Sequence, residues 1–424
     1  MPLPLYLLAL AVFAMGTSEF MLAGLLPDIA SGLHVSVGTA GTLTSAFAAG
    51  MIVGAPLMAG LARNWPRRSS LLGFVLAFSA AHAVGAACTS FPVLFATRVL
   101  AALANAGFLA VALTAAAALV PSGQKGRALA VLLSGTTVAT IAGVPGGSVL
   151  GTVLGWRATF WAVAAVCLPA AAGILKGIPT RSAKKSVKEG DAADSPGDAA
   201  DPPALRSELA RLRSPRLILV MLLAALVNAA TFAGFTFLAP VVIDTAGLDK
   251  LWVPVVLVLF GAGSFAGVTV AGRLSDQRPG MVIAVGGPLL LIGWPGLALL
   301  AGEPVALLVL VFVQGALSFA LGSTLITRVL YEAAEAPTMA GSYATAALNV
   351  GAAVGPLIGA TTLGTSAGGL GPLWASGFLI LVALLIAFAL RGVVVVDRGE
   401  VAPVTHANAP GCSGDHECDG QCES

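Results

Sequence analysis

Apolar residues fill this chain in long unbroken runs, and polar residues gather in short clusters between them. Plain examples of the runs are 3–27, 69–88, 216–243, 251–272 and 280–302. Each reaches or exceeds the ~20 residues that carry a helix across a ~30 Å hydrocarbon core. Backbone N–H and C=O groups in lipid must pair within the protein, which leaves helices or closed barrels. Barrel strands alternate in segments of ~10 residues, and nothing here alternates that way, so the runs predict helices. Twelve spans result, at about 4–26, 40–62, 69–88, 92–120, 128–154, 157–178, 216–239, 251–272, 280–302, 304–328, 338–364 and 371–391. The first lacks a basic n-region and is longer than the apolar core of a signal peptide, so it reads as a span.

Composition agrees: 57% of the residues are hydrophobic, 10% are charged, and the mean hydropathy is +0.94. A soluble domain carries about 25% charged residues to cover its surface, so most of this surface must face lipid. Charge placement then sets topology. With the loops assigned alternately, 19 of the 22 Lys and Arg fall on one side, including Arg63, Arg67, Arg68, Lys125, Arg127, Arg273, Arg278 and Arg328. Arg157 and Lys250 fall on the other side, and Arg98 lies within a span. The Lys/Arg-rich side is cytoplasmic, which puts both termini inside. The basic residues are topology markers and give no sign of a nucleic-acid partner.

The composition breaks between 179 and 215, where EGDAADSPGDAADPP (189–203) lacks hydrophobic periodicity and reads as disordered. LRSELARLR (205–213) places three leucines on one face and reads as a short helix on the membrane surface. The chain therefore divides into a six-helix half (1–178), a cytoplasmic linker (179–215), a second six-helix half (216–391) and a tail (392–424). The halves echo each other. Gly50, Gly54, Leu61 and Pro66 recur as Gly263, Gly267, Leu274 and Pro279 at an offset of 213 residues, and VPGG (144–147) is loosely answered by GPLIG (355–359). The expected fold is an all-α membrane protein with twelve transmembrane helices in two six-helix pseudo-repeats, an architecture whose substrate site lies between the repeats near mid-membrane.

Charges within spans are costly and therefore informative. Glu19 lies about two-thirds of the way through the first span, beside Phe20 and Met21. A carboxyl there suits binding and release of protons, or pairing with a cationic substrate; a hydrogen bond that holds a neighbouring helix is the plain alternative. Asp28 follows Pro27 at the end of that span, about 13 Å along the axis from Glu19 and on the opposite face, so the two cannot form a dyad. It reads as a relay to the outside or a solvated helix end. Arg98 keeps its charge and can modulate a nearby carboxyl, or else snorkel to the headgroups. In the fifth span, GVPGGSVLG (143–151) combines Gly143, Pro145, Gly146 and Gly147, which bend a helix and allow close approach at a gating interface. Asn105, Asn228, Gln314 and Asn349 are candidates for lining a cavity, or for hydrogen bonds between helices. His82 reads as packed or hydrogen-bonded. No phosphate-binding loop, HExxH motif or Cys/His cluster occurs within a span, so no metal or nucleotide cofactor is expected. Cys88 and Cys167 read as packing residues, and the Cys/His-bearing tail (412–422) matches no zinc spacing.

The segments GTSEFMLAGLLPDIASGLHVSVGTAGTLTSAFAAG (16–50) and GVPGGSVLGTVLGWRATFW (143–161) resemble the major facilitator superfamily, in its twelve-helix drug:proton antiporter group. The subgroup they resemble contains sugar, purine ribonucleoside and chloramphenicol efflux proteins, and the overall sequence looks most like actinobacterial chloramphenicol exporters. The resemblance covers nearly the whole chain. It implies the major facilitator fold, with Glu19 as the membrane carboxyl for proton and drug coupling, Arg98 as the fourth-span arginine, and Gly143, Pro145 and Gly147 in the antiporter motif. It further implies a proton-coupled exporter working by alternating access, with no cofactor beyond the proton gradient and as a monomer in the bacterial inner membrane. Phenicols are the expected substrates; sugar, nucleoside or metabolite export is the alternative, and a non-transporting sensor a more distant one. The sequence also departs from the family. The loop after the second span, normally Gly-x-Leu-x-Asp-Arg-x-Gly-Arg-Arg, has Arg63 in place of Asp, Asn64 in place of Arg and Pro66 in place of Gly, keeping Arg67 and Arg68. The second-half copy, with Arg278, keeps Asp276. Ala102 stands where a glycine often follows the position of Arg98.

Overall fold

The computed structural model describes residues 2–62, 65–121, 124–178, 214–275, 279–333 and 340–390. Among these, twelve helical segments are long and apolar enough to cross a membrane. The candidate gate residues Arg63, Asp276 and Arg278, the linker and the tail lie outside the described residues, while Arg67 and Arg68 open the third span.

The first span is two helices, Leu3–Phe20 and Leu22–Gly32, offset at Met21. Val37–Ala62, Arg67–Ala87 and Phe91–Ala118 form the second to fourth spans. The fifth comprises Lys125–Val138, one π turn at Ala139–Gly143, and Val144–Leu154. Pro145 has no N–H for the carbonyl of Ile141, and the π turn absorbs that missing bond. Gly155, at φ 85°, makes the sharp turn into the sixth span, Trp156–Gly177. The seventh runs Pro215–Thr236, then through a short turn at Leu238–Pro240 and a π turn at Val241–Thr245. The remaining spans are Trp252–Ser275, Pro279–Leu299, Pro304–Glu332, Ala340–Thr362 and Gly371–Ala389.

Two ends differ most from the sequence expectation. Helix continues past Pro27 to Gly32 and past Pro240 to Thr245, where the sequence reading ends the spans at about 26 and 239. Proline is tolerated inside membrane helices because neighbouring groups and local π or 3₁₀ adjustment satisfy the single freed carbonyl. Asp28 consequently sits inside a helical segment and not at its end.

Each half packs around an apolar cluster drawn mostly from its own residues, with Phe237 of the second half joining the first cluster and Ala23 and Val144 of the first half joining the second, and the repeated glycines do the same work in both. A Cβ on Gly50 would lie 2.7 Å from Ala102 Cβ, and one on Gly54 would lie 3.1 Å from Ala106 Cβ, so the second span lies flush on the fourth. In the second half, a Cβ on Gly263 or Gly267 would overlap the backbone of Phe312 or Ala316, which seats the eighth span on the tenth. Small residues on both faces let the backbones approach where no hydrophobic effect drives association. Ala102, the departure from the family pattern, is accommodated by the missing side chain of Gly50.

The halves meet along the second and eleventh spans, the fifth and eighth, and the Leu22–Gly32 segment against the seventh. Close approaches run from mid-membrane toward the end opposite the chain's entry into the first span. A Cβ on Gly41 would lie 2.6 Å from the Phe237 ring, one on Gly24 2.9 Å from Leu257, and one on Gly38 3.4 Å from Ala360.

Candidate functional site

Helical geometry distributes the residues around Glu19 to different neighbours. Successive residues turn by about 100°, so Ser18 and Phe20 point about 200° apart with Glu19 between them. Ser18 is fully buried against the third and fourth spans of the first half, whereas the Phe20 ring reaches the second half. Glu19 is partly buried, lies within the electrostatic reach of Arg98, and has no side-chain hydrogen bond or ion pair among the described residues.

On the Phe20 side, a small cavity of about 20 Å³, partly open to solvent, lies between the halves. Phe20 from the first span and Thr140 and Val144 from the fifth form one wall; Thr231, Phe232 and Phe235 from the seventh, Leu257, Phe260, Gly261 and Ser264 from the eighth, and Phe319 from the tenth form the other. The aromatic rings are in mutual contact. Phe20 meets Phe232 at 5.8 Å between centroids, Phe235 meets Phe260 at 4.6 Å, and Phe260 meets Phe319 edge-on at 6.2 Å. Its polar side chains are the hydroxyls of Thr140, Thr231 and Ser264, and no charged residue among the described ones lines it.

On the Ser18 side, Arg98 is 1% exposed. Snorkelling to the headgroups is therefore not what this side chain does. Its Nη1 donates to Ser18 Oγ at 2.7 Å and its Nη2 to the Ser18 carbonyl at 2.9 Å, while the guanidinium lies 4.6 Å from the centre of the Phe47 ring. Ser18 Oγ also lies 2.7 Å from His82 Nε2, and His82 Nδ1 lies 2.8 Å from the Phe78 carbonyl. A carbonyl can only accept, so Nδ1 carries the proton and Nε2 is the acceptor. The hydroxyl of Ser18 must then donate to His82 and accept from Arg98. A chain of three buried hydrogen bonds thus joins the fourth, first and third spans, and the Nε of Arg98 has no partner among the described residues.

The other candidates lie elsewhere. Asp28 Oδ1 accepts from Lys250 Nζ at 2.9 Å, across the two halves, with Lys250 55% and Asp28 26% exposed. Gly143 is pressed against the first span, where a Cβ would overlap Thr17 Oγ1. Pro145 is buried, a Cβ on Gly147 would meet Thr159 at 3.0 Å, and Gly146 lines a groove between the first, fifth and sixth spans. None of the four uncharged candidates lines the aromatic cavity. Asn105 donates to Met51 Sδ at 3.6 Å within the first half; Asn228 donates to the Leu348 carbonyl at 2.7 Å and ties the seventh span to the eleventh; Asn349 donates to Thr345 of its own helix; and Gln314 is fully buried against Gly293. Of the four, only Asn228 is bound to a carbonyl of a neighbouring helix, and neither amide atom of Gln314 has a partner among the described residues.

Sequence reasoning did not single out Ser18 or the phenylalanine set. Rings in an apolar helix have no contrasting polar face to mark them, and a serine beside a glutamate draws no notice. The one available signal was Glu19 itself, whose immediate neighbours define both sites.

Residues 8–347 match the family model of the Major Facilitator Superfamily. A chloramphenicol resistance protein of Streptomyces lividans is 76% identical over 394 residues, covering 93% of this chain and 97% of that protein. The inner membrane transport protein YdhP of Escherichia coli is 31% identical over 365 residues, covering 86% and 90%. Among solved structures, an inward-facing bacterial homologue of the human lysosomal transporter Spinster superposes with a TM-score of 0.72 at 17% identity, covering 92% of this chain and 96% of that one. A D-xylose–proton symporter gives 0.65 at 16% identity, covering 90% and 96%.

Proposed function

This chain belongs to the major facilitator superfamily, and on that premise we propose that it is a proton-driven exporter of phenicol drugs working by alternating access. It is a multi-pass membrane transporter of small molecules. In the proposed arrangement the Lys/Arg-rich loops and both termini are cytoplasmic, and the Asp28–Lys250 pair lies at the outer face of a bacterial inner membrane. The halves 1–178 and 216–391 rock as a monomer about the aromatic cavity. The proton gradient is the energy source, with neither cofactor nor enzymatic step.

The observation that carries the reading is that Glu19, within the electrostatic reach of the buried Arg98, follows Ser18, which holds that arginine, and precedes Phe20, which lines the cavity. A carboxyl placed there senses both the fixed positive charge and the occupant of the cavity. With the cavity open to the cytoplasm, Glu19 gives up its proton and the drug enters. After rocking, reprotonation from outside removes the charge that held the bound state, and the drug leaves. An uncharged, aromatic cavity with three hydroxyls suits a neutral amphipathic drug bearing an aromatic ring. The high identity to the Streptomyces resistance protein supports chloramphenicol in particular.

The test is drug-driven proton movement in inside-out vesicles whose lumen is acidified by respiration. Chloramphenicol is expected to dissipate the gradient, a sugar and a nucleoside to leave it intact, and Glu19→Gln to abolish the response. A response to sugar or nucleoside alone would refute the substrate assignment. Silence toward all three, in vesicles that hold their gradient, would refute antiport.

A further inference from the structure

The buried chain Arg98–Ser18–His82 has a direction. Phe78 fixes the proton of His82 on Nδ1, so Nε2 takes the only hydrogen of the Ser18 hydroxyl, and the lone pairs of Ser18 are left facing Arg98. Without an acceptor at His82, the hydroxyl hydrogen must turn to another acceptor, such as a carbonyl of its own helix, and the lone pairs turn with it relative to the guanidinium. His82 thereby determines which face Ser18 presents to Arg98, although it touches neither Glu19 nor the aromatic cavity.

We propose that His82 and Ser18 are positioning residues for proton coupling: together they seat the Arg98 guanidinium beside Glu19 so that its charge acts on the carboxyl without pairing with it. The proposal rests on the proton-exporter reading. Its geometry is specific. Two of the three guanidinium nitrogens are held by Ser18, through side chain and carbonyl, and Phe47 covers the group at 4.6 Å. Glu19, one residue along the same helix, is left without an ion pair among the described residues. If the seat is lost, a guanidinium in a low-dielectric site moves to the nearest carboxylate, because an unpaired charge there is the costlier state. The carboxyl is then locked to Arg98 and no longer exchanges its proton through the cycle.

The surroundings of His82 support a positioning role over an independent proton carrier. The ring is 2% exposed and stacks against Phe78 at 4.3 Å on its own helix and Phe160 at 5.7 Å from the sixth span. The first span contributes Ser18 and the fourth contributes Arg98, the one charged group among the described residues whose field reaches His82. Among the described residues it has no carboxylate partner, and its ring is almost fully enclosed.

The experiment compares two activities of the full-length protein in the same vesicles. One is chloramphenicol-driven proton movement; the other is exchange of labelled for unlabelled chloramphenicol with no gradient, which needs rocking and drug binding but no proton step. His82→Leu and Ser18→Ala are each expected to lower proton movement roughly tenfold, the scale of a lost buried polar partner, while exchange stays within about twofold of wild type. His82→Gln, which returns an acceptor near the Nε2 position, is expected to restore proton movement. Parallel loss of both activities, or no loss of proton movement in either variant, or failure of the glutamine to restore it, would overturn the proposal. A wild-type protein that exchanges chloramphenicol yet moves no protons would overturn the exporter reading and this inference together.

Discussion

Charge reversal at Lys250 tests whether the Asp28–Lys250 pair helps close one end of the transporter. The two groups belong to different halves and lie 2.9 Å apart. At that distance two unit charges attract by about 1.4 kcal/mol in a water-like dielectric. Lys250 is 55% exposed, so side-chain entropy and screening return part of this, leaving about 0.5–1 kcal/mol for an exposed pair. Lys250→Glu replaces attraction by repulsion and roughly doubles the perturbation, to about 1–2 kcal/mol, or a shift of about 5- to 30-fold toward the state in which this end is open. The assay is the rate at which a membrane-impermeant thiol reagent, added from outside the cell, labels Ser264→Cys in the cavity wall, with the native cysteines replaced. Labelling is expected to accelerate in Lys250→Glu at low salt, less so at high salt because such pairs are screened, and to return toward the starting rate in Asp28→Lys/Lys250→Glu. An unchanged rate in the single variant, or a double variant as fast as the single, would refute the latch.

Two further outcomes follow from packing in and beside the site. Gly143→Ala forces a methyl group onto Thr17 Oγ1 and is expected to destabilise the detergent-solubilised protein by about 1–3 kcal/mol; adding Thr17→Ala, which removes the clashing oxygen, is expected to recover most of the lost thermal stability. Phe260→Ala removes the ring that bridges Phe235 and Phe319 and is expected to raise the KM for chloramphenicol about 2- to 12-fold, the scale of one aromatic pair, while proton coupling per drug exported is unchanged.

The fold was almost wholly legible in the sequence, because lipid imposes one rule everywhere along the chain. A helix must be about twenty apolar residues long, and that rule alone locates the twelve spans. The glycine repeat was legible only as an echo between the halves; the structure gives Gly50/Gly54 and Gly263/Gly267 their use, since only small residues allow backbones to touch and these seat the second and eighth spans on their neighbours. Proline was the misleading signal. Pro27 and Pro240 read as ends of spans, yet the helical segments continue beyond both.

The sequence by itself also singled out Glu19 and Arg98, since a charge in an apolar span demands a partner or a task. The tertiary structure decided which. Arg98 is engaged by Ser18, 80 residues away, and Ser18 by His82 at a separation of 64. Asp28 pairs with Lys250 at a separation of 222, across the halves. No local pattern encodes such pairings, because the spans are apolar on every face and periodicity does not say which way a side chain points. For the same reason the five phenylalanines of the cavity are indistinguishable in sequence from those that face lipid. Composition placed this chain in the membrane, and only the packing of its helices determined which few polar and aromatic groups would face one another there.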